Sequence, residues 1–194
     1  MRLVLIIPFL LISCATFNKE KLSGDLAKDL SSFCVVGSGK GRVVYTPYKY
    51  VFSFDSAYDQ DHANWLLSFN IPFRPDEFIE FDWSEAGQSK LRSSFEESLL
   101  TQKNIDPKAV EIFLNALEMF MSDISQARTK GEKSFYYDWR YKDSSQLLFA
   151  YKDYVQGSLE NYTQSQGFGL VRILVQWKSE KISFDLKYSS CNRS

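Results

Sequence analysis

The sequence has 194 residues, with 23 Lys and Arg against 24 Asp and Glu, a single His and an aromatic content of 16%. A formal net charge of −1, with no long block of one sign, excludes the dense cationic grip that nucleic acid requires. A single histidine with no cysteine cluster, the cysteines standing far apart at Cys14, Cys34 and Cys191, does not make an ordinary zinc site, and only the N-terminal stretch is strongly apolar over many residues.

Met1-Arg2 leads into an apolar run from Leu3 to Ile12, interrupted only by Pro8 and ending at Ser13-Cys14. A positive start and so short a run make a secretion signal rather than a span of a ~30 Å hydrocarbon core. The ending Leu11-Ile12-Ser13-Cys14 resembles the lipobox of bacterial lipoproteins. That resemblance implies loss of residues 1–13 and a diacylglyceryl Cys14 as the new N-terminus; an ordinary signal peptide with an incidental cysteine is the alternative. Two acyl chains hold a protein stably on a membrane. Ala15, which is not aspartate, resembles the enterobacterial sorting signal for the outer membrane. About 180 residues remain, enough for one domain with a real core.

The expected organisation is a lipidated Cys and tether over 14–21 and a single domain over 22–194. At ~3.5 Å per residue the tether reaches roughly 25 Å, which keeps the domain near the lipid surface. Outside the cytoplasm Cys34 and Cys191 are free to form a disulfide. Leu22, Leu26, Leu30 and Phe33 follow at helical spacing, predicting a short amphipathic helix.

The period then becomes two. Tyr48, Tyr50, Phe52 and Phe54 alternate with Lys49, Val51, Ser53 and Asp55; Trp65, Leu67, Phe69 and Ile71 with Leu66, Ser68 and Asn70; and Ile79, Phe81 and Trp83 with Glu80 and Asp82. One buried and one wet face suit an antiparallel meander. Leu91, Phe95 and Leu99 predict a helix, and Asp106-Pro107 opens a longer one through Val110, Phe113, Leu114, Leu117, Phe120, Met121 and Ile124. Alternation resumes at Phe135, Tyr137, Trp139 and Tyr141, then at Leu147, Phe149 and Tyr151. Two further strands follow, at Val171–Trp177 and Ile182–Tyr188, with Gln164 to Gly169 as the predicted long loop.

Eight or nine strands with one aromatic face, and about three helices to cover it, predict an α+β fold: a curved antiparallel sheet, a half-open barrel with the helices inside. Gly37, Gly39 and Gly41 share one face of the first strand, where missing side chains permit bending or close approach. Periodicity leaves open whether the interior takes a ligand or is a dry core.

Little in the sequence points to catalysis. His62 sits in the polar stretch Tyr58-Asp59-Gln60-Asp61-His62, which lacks the glycine and glutamate of a calcium loop and reads as a solvated turn. No Gly-x-Ser-x-Gly elbow presents a nucleophile. Gly37-Ser38-Gly39-Lys40-Gly41 does not match a phosphate loop, and Val43-Val44 follow where a helix would be needed. No spacing singles out a carboxylate pair for glycoside hydrolysis. The expectation is a non-enzyme without cofactor or metal.

The stretch from Trp65 to Phe81, an alternating strand running through Pro72-Phe73-Arg74-Pro75 into a second one, resembles the LolB-type outer-membrane lipoprotein receptors of the LolA/LolB-like superfamily. The resemblance implies a half-closed antiparallel sheet whose apolar cavity accepts acyl chains from a periplasmic LolA-like carrier. It also implies a membrane-inserting loop, here Pro72 and Phe73, with Phe73 where the family has leucine. The expected cavity lining is Tyr50, Phe52, Phe54, Trp65, Leu67, Phe69, Ile79, Phe81, Phe135, Tyr137 and Trp139. Partners would then be acyl chains or lipoproteins, with the protein a monomer held on the membrane by its anchor. Arg74 departs from the family's glycine, and the long helix lacks its Pro-rich, Trp-containing segment. The alternative is a structural or protein-interaction lipoprotein with a packed interior.

Overall fold

The computed structural model describes residues 25–45, 48–59, 64–73, 75–83, 90–94, 106–129, 135–163 and 167–192. The signal segment, Cys14, the tether, His62 and Arg74 lie outside the described residues.

Asp25 caps helix α1 (Leu26–Ser31) by accepting from the Lys28 N–H. Leu26 and Leu30 of the predicted helix lie in α1, Phe33 follows it as a buried residue, and Leu22 lies outside the described residues. Five strands come next: β1 (Gly37–Tyr45), β2 (Tyr48–Asp59), β3 (Asn64–Asn70), β4 (Glu77–Asp82) and β5 (Lys90–Ser93). Helix α2 (Pro107–Thr129) precedes β6 (Asp138–Asp143), β7 (Gln146–Tyr151), β8 (Val155–Thr163), β9 (Gly167–Trp177) and β10 (Glu180–Cys191). Every ladder is antiparallel, and the strands form one open curved sheet in the order β5-β4-β3-β2-β1-β10-β9-β8-β7-β6.

This is two up-and-down meanders joined where the first strand of the chain pairs with the last. Gly37 faces Cys191 across that seam, and a Cys34–Cys191 disulfide with a Cα–Cα distance of 5.7 Å closes it. The chain leaves the sheet at the β5 edge and re-enters at the β6 edge, with α2 lying between, against β9 and β10. Each of the seven apolar positions read from the α2 spacing is buried, from Val110 to Ile124.

Several expectations are corrected. Leu91 lies in β5, opposite Phe81, rather than in a helix, while Phe95 and Leu99 fall outside the described residues. A four-residue strand carries too few alternations to be seen in sequence. The described residues contain two helices, not three, and ten strands. The predicted loop at Gln164 to Gly169 yields to strand β9 from Gly167. Strand β8 was missed because Gly157 breaks its apolar pattern; a Cβ there would collide with the Phe149 ring and the Arg172 carbonyl, so the glycine admits both. Phe135 and Tyr137 precede β6 instead of lying in it.

Candidate functional site

The concave face is built by the inward-facing row of each strand. On β1, a Cβ at Gly41 would collide with the Phe52 ring, and one at Gly39 with Phe54 and the Lys187 carbonyl. Glycine in this strand is what lets the β2 rings lie flat on the sheet. From there the rings interlock: Phe52 meets Phe69 edge-on at 4.8 Å, and Phe184 of β10 meets Phe113 of α2 at 5.3 Å. Such edge-to-face pairs add about 0.5–1.5 kcal/mol each beyond area burial. Further out, Trp65 stacks on Phe81 at 5.6 Å and Phe81 on Trp83 at 5.8 Å.

Of the expected lining, Phe52, Phe54, Trp65, Leu67, Phe69, Ile79, Phe81 and Tyr137 are buried, while Tyr50, Phe135 and Trp139 are partly buried against the same core. The structure thus brings all of these residues into one apolar cluster. They belong to the same cluster as the buried face of α2.

Polar groups inside this core were not legible beforehand. Asp123 is fully buried on α2 and accepts from the Tyr136 N–H at 2.7 Å, the Tyr137 N–H at 3.1 Å and Trp139 Nε1 at 2.8 Å. Burial pushes its carboxyl up to about 6, outweighing the three N–H donors that pull the other way. Tyr137 Oη donates to the Ala116 carbonyl at 2.7 Å, and burial raises that phenol as well. On the other side Trp65 Nε1 donates to Ser56 Oγ at 2.9 Å, Tyr58 and Ser125 share a hydrogen bond of 2.9 Å, and Arg128 donates to the Phe33 carbonyl at 2.8 Å. The available signal for Asp123 was an acid set among the apolar positions of α2, flanked by Phe120, Met121 and Ile124.

The loop between β3 and β4 behaves differently. Ile71 is buried, Pro72 is exposed, and Phe73 is 107% exposed with φ 64°. A bulky residue in the left-handed region is strained, by on the order of 1–3 kcal/mol. Asn70 donates to Asp76 at 3.3 Å across the loop's base.

Among the described residues no group of three or more His, Cys, Asp or Glu is placed to hold a metal ion, and no helix is long and apolar enough to cross a membrane.

No protein-family model matches the sequence, and no curated protein matches it either. Among solved structures, the chain is similar to MucB in its complex with MucA(peri), at 9% identity and a TM-score of 0.35. The match covers 81% of this chain and 51% of MucB, so the chain spans about half the length of that structure.

Proposed function

We propose that this chain is an outer-membrane lipoprotein that handles acyl chains, taking part in lipoprotein or lipid transfer at the periplasmic face, without covalent chemistry and without a cofactor. Residues 1–13 are its secretion signal, 14–21 its lipidated cysteine and tether, and 22–194 one LolB-like domain, acting as a monomer that meets a periplasmic LolA-like carrier. One observation carries the reading: Phe73 stands wholly in solvent on a strained backbone, where it contributes nothing to the core. An aromatic side chain held outward in this way suits entry into the apolar layer of a membrane. The aromatic concave face supplies surface of the right chemistry for hydrocarbon.

Native mass spectrometry of the chain from Ala15 onward, purified from cells, is the first test, with retained lipid as the expected result. Phe73→Glu should then impair transfer from a loaded carrier while leaving the melting temperature unchanged. Equal loss of both would remove the wedge role.

A second reading has its own support in the twelve buried residues of α2. If that helix fills the concavity permanently, the chain is a protein-interaction lipoprotein of the envelope. Absence of retained lipid, with no transfer by the parent chain, would favour it.

A further inference from the structure

The outward rows of β2, β1 and β10 form the middle of the convex face, and their charges are not balanced. Lys40 on β1, Lys49 on β2 and Lys181 and Lys187 on β10 are all exposed. Among the described residues no ion pair engages any of the four. Lys40 and Lys187 stand directly opposite each other in the ladder, an arrangement of like charges that costs stability. Arg42, between them and Lys49, is already committed to Asp185. The other carboxylates on this face of the three strands are Asp59, toward the far end of β2, and Asp55, which pairs with Ser38 and so stands diagonally from Lys40. A chain of formal net charge −1 therefore carries an excess of cations on the outward rows of these three strands: Lys40, Arg42, Lys49, Lys181 and Lys187 against Asp55, Asp59 and Asp185.

Two apolar side chains adjoin them. Val51, 53% exposed, projects from β2 on the same face as Lys49. The β2–β3 ladder stops at Ser53 opposite Asn70, so the Pro72–Phe73 turn leaves the sheet beside the portion of β2 that carries Val51 and Lys49. Cations spread over a convex face with an exposed aromatic at the margin match anionic headgroups over an apolar layer, and each lysine close to such a surface strengthens attachment severalfold.

We propose that the convex face of β2, β1 and β10 docks on an anionic lipid surface, with Lys40, Lys49, Lys181 and Lys187 on the headgroups and Phe73 entering at the edge. This does not depend on the interior accepting an acyl chain. It orients the domain with the outer side of the sheet toward the membrane and the helix-bearing concave side away from it, open to a partner arriving through the periplasm.

The test is flotation of the chain from Ala15 onward, which retains every element of the fold, with vesicles of phosphatidylcholine alone or with phosphatidylglycerol added. Binding should require phosphatidylglycerol and fall as salt is raised. The pair Lys40→Glu with Lys187→Glu should weaken binding by roughly tenfold or more. Lys187→Glu alone is a sharper probe: it places opposite charges across the ladder, so it should melt no lower than the parent and still bind more weakly. Vesicle binding that ignores phosphatidylglycerol, or survives the double charge reversal, would overturn the docking face while leaving acyl handling intact. No binding to either vesicle would overturn it too and turn attention to an acidic protein partner. Salt-sensitive docking together with no lipid by native mass spectrometry would uphold the face and remove the transfer reading.

Discussion

The two meanders use the same strand chemistry but are finished differently on their concave sides. In the C-terminal one, β6 to β10, the sheet is fastened to α2 by directional bonds: Asp123 gathers the chain entering β6, and Tyr137 reaches the Ala116 carbonyl. Phe120 of α2 adds ring contact with Phe149 at 5.5 Å. In the N-terminal one, β1 to β5, the interior is a run of stacked and edge-on rings, and the β3–β4 loop carries an aromatic out into solvent. The difference separates two tasks. The C-terminal meander supplies most of the hydrogen bonds that fasten the helix, with Tyr58–Ser125 the contribution of the other, while the N-terminal meander is the one that carries an exposed aromatic on a left-handed backbone.

The sharpest way to break this arrangement is at the seam between the meanders. Replacing Cys34 and Cys191 by serine frees a loop with a sequence separation of 157, and the chain-entropy estimate puts the loss at up to about 5 kcal/mol. Chemical denaturation should show a lower midpoint with Phe73 still exposed.

Next in size is the Asp123 fastening. Asp123→Asn keeps the shape but turns an amide toward N–H donors, at a cost of about 1–3 kcal/mol. It should also remove a pH dependence. The Asp123 carboxyl is raised in the folded chain to about 6 from an ordinary 3.8, so the folded state binds the extra proton. Its contribution to stability is therefore full below the ordinary carboxylate range and is lost as pH climbs through about 6, by at most about 3 kcal/mol. Melting temperatures of the parent across this window should fall with rising pH, and those of Asp123→Asn should not follow.

The ring packing of the N-terminal meander is tested by Gly41→Ala. The added methyl group meets the Phe52 ring, and overpacking of this kind costs about 1–3 kcal/mol. A change confined to the near-ultraviolet aromatic signal, with the far-ultraviolet spectrum kept, is the expected signature.

The smallest effect has the opposite sign. Phe73→Gly relieves the left-handed backbone and should stabilise the fold by about 0.5–1 kcal/mol, even after glycine's greater entropy in the unfolded chain. Greater stability with weaker vesicle binding would show strain retained for contact; unchanged binding would show that the phenyl ring is idle.

Sequence periodicity alone determined the strand faces, the span of α2 and the apolar rows that meet inside, because burial on one side of a strand or helix leaves a repeat of two or 3.6 residues. It also put Gly37, Gly39 and Gly41 on one face of β1, where the structure has close approaches, and the cysteines left for an oxidising compartment were Cys34 and Cys191. Short or glycine-broken strands such as β5 and β8 escaped it, since pairing with a neighbour, not local pattern, makes them strands. Only the tertiary structure decided that Asp123 belongs inside, because a buried carboxylate is tolerable only where distant N–H groups converge on it. Strand register likewise decided that Lys40 and Lys187 stand face to face: no pattern within one strand records which residue lies opposite on another.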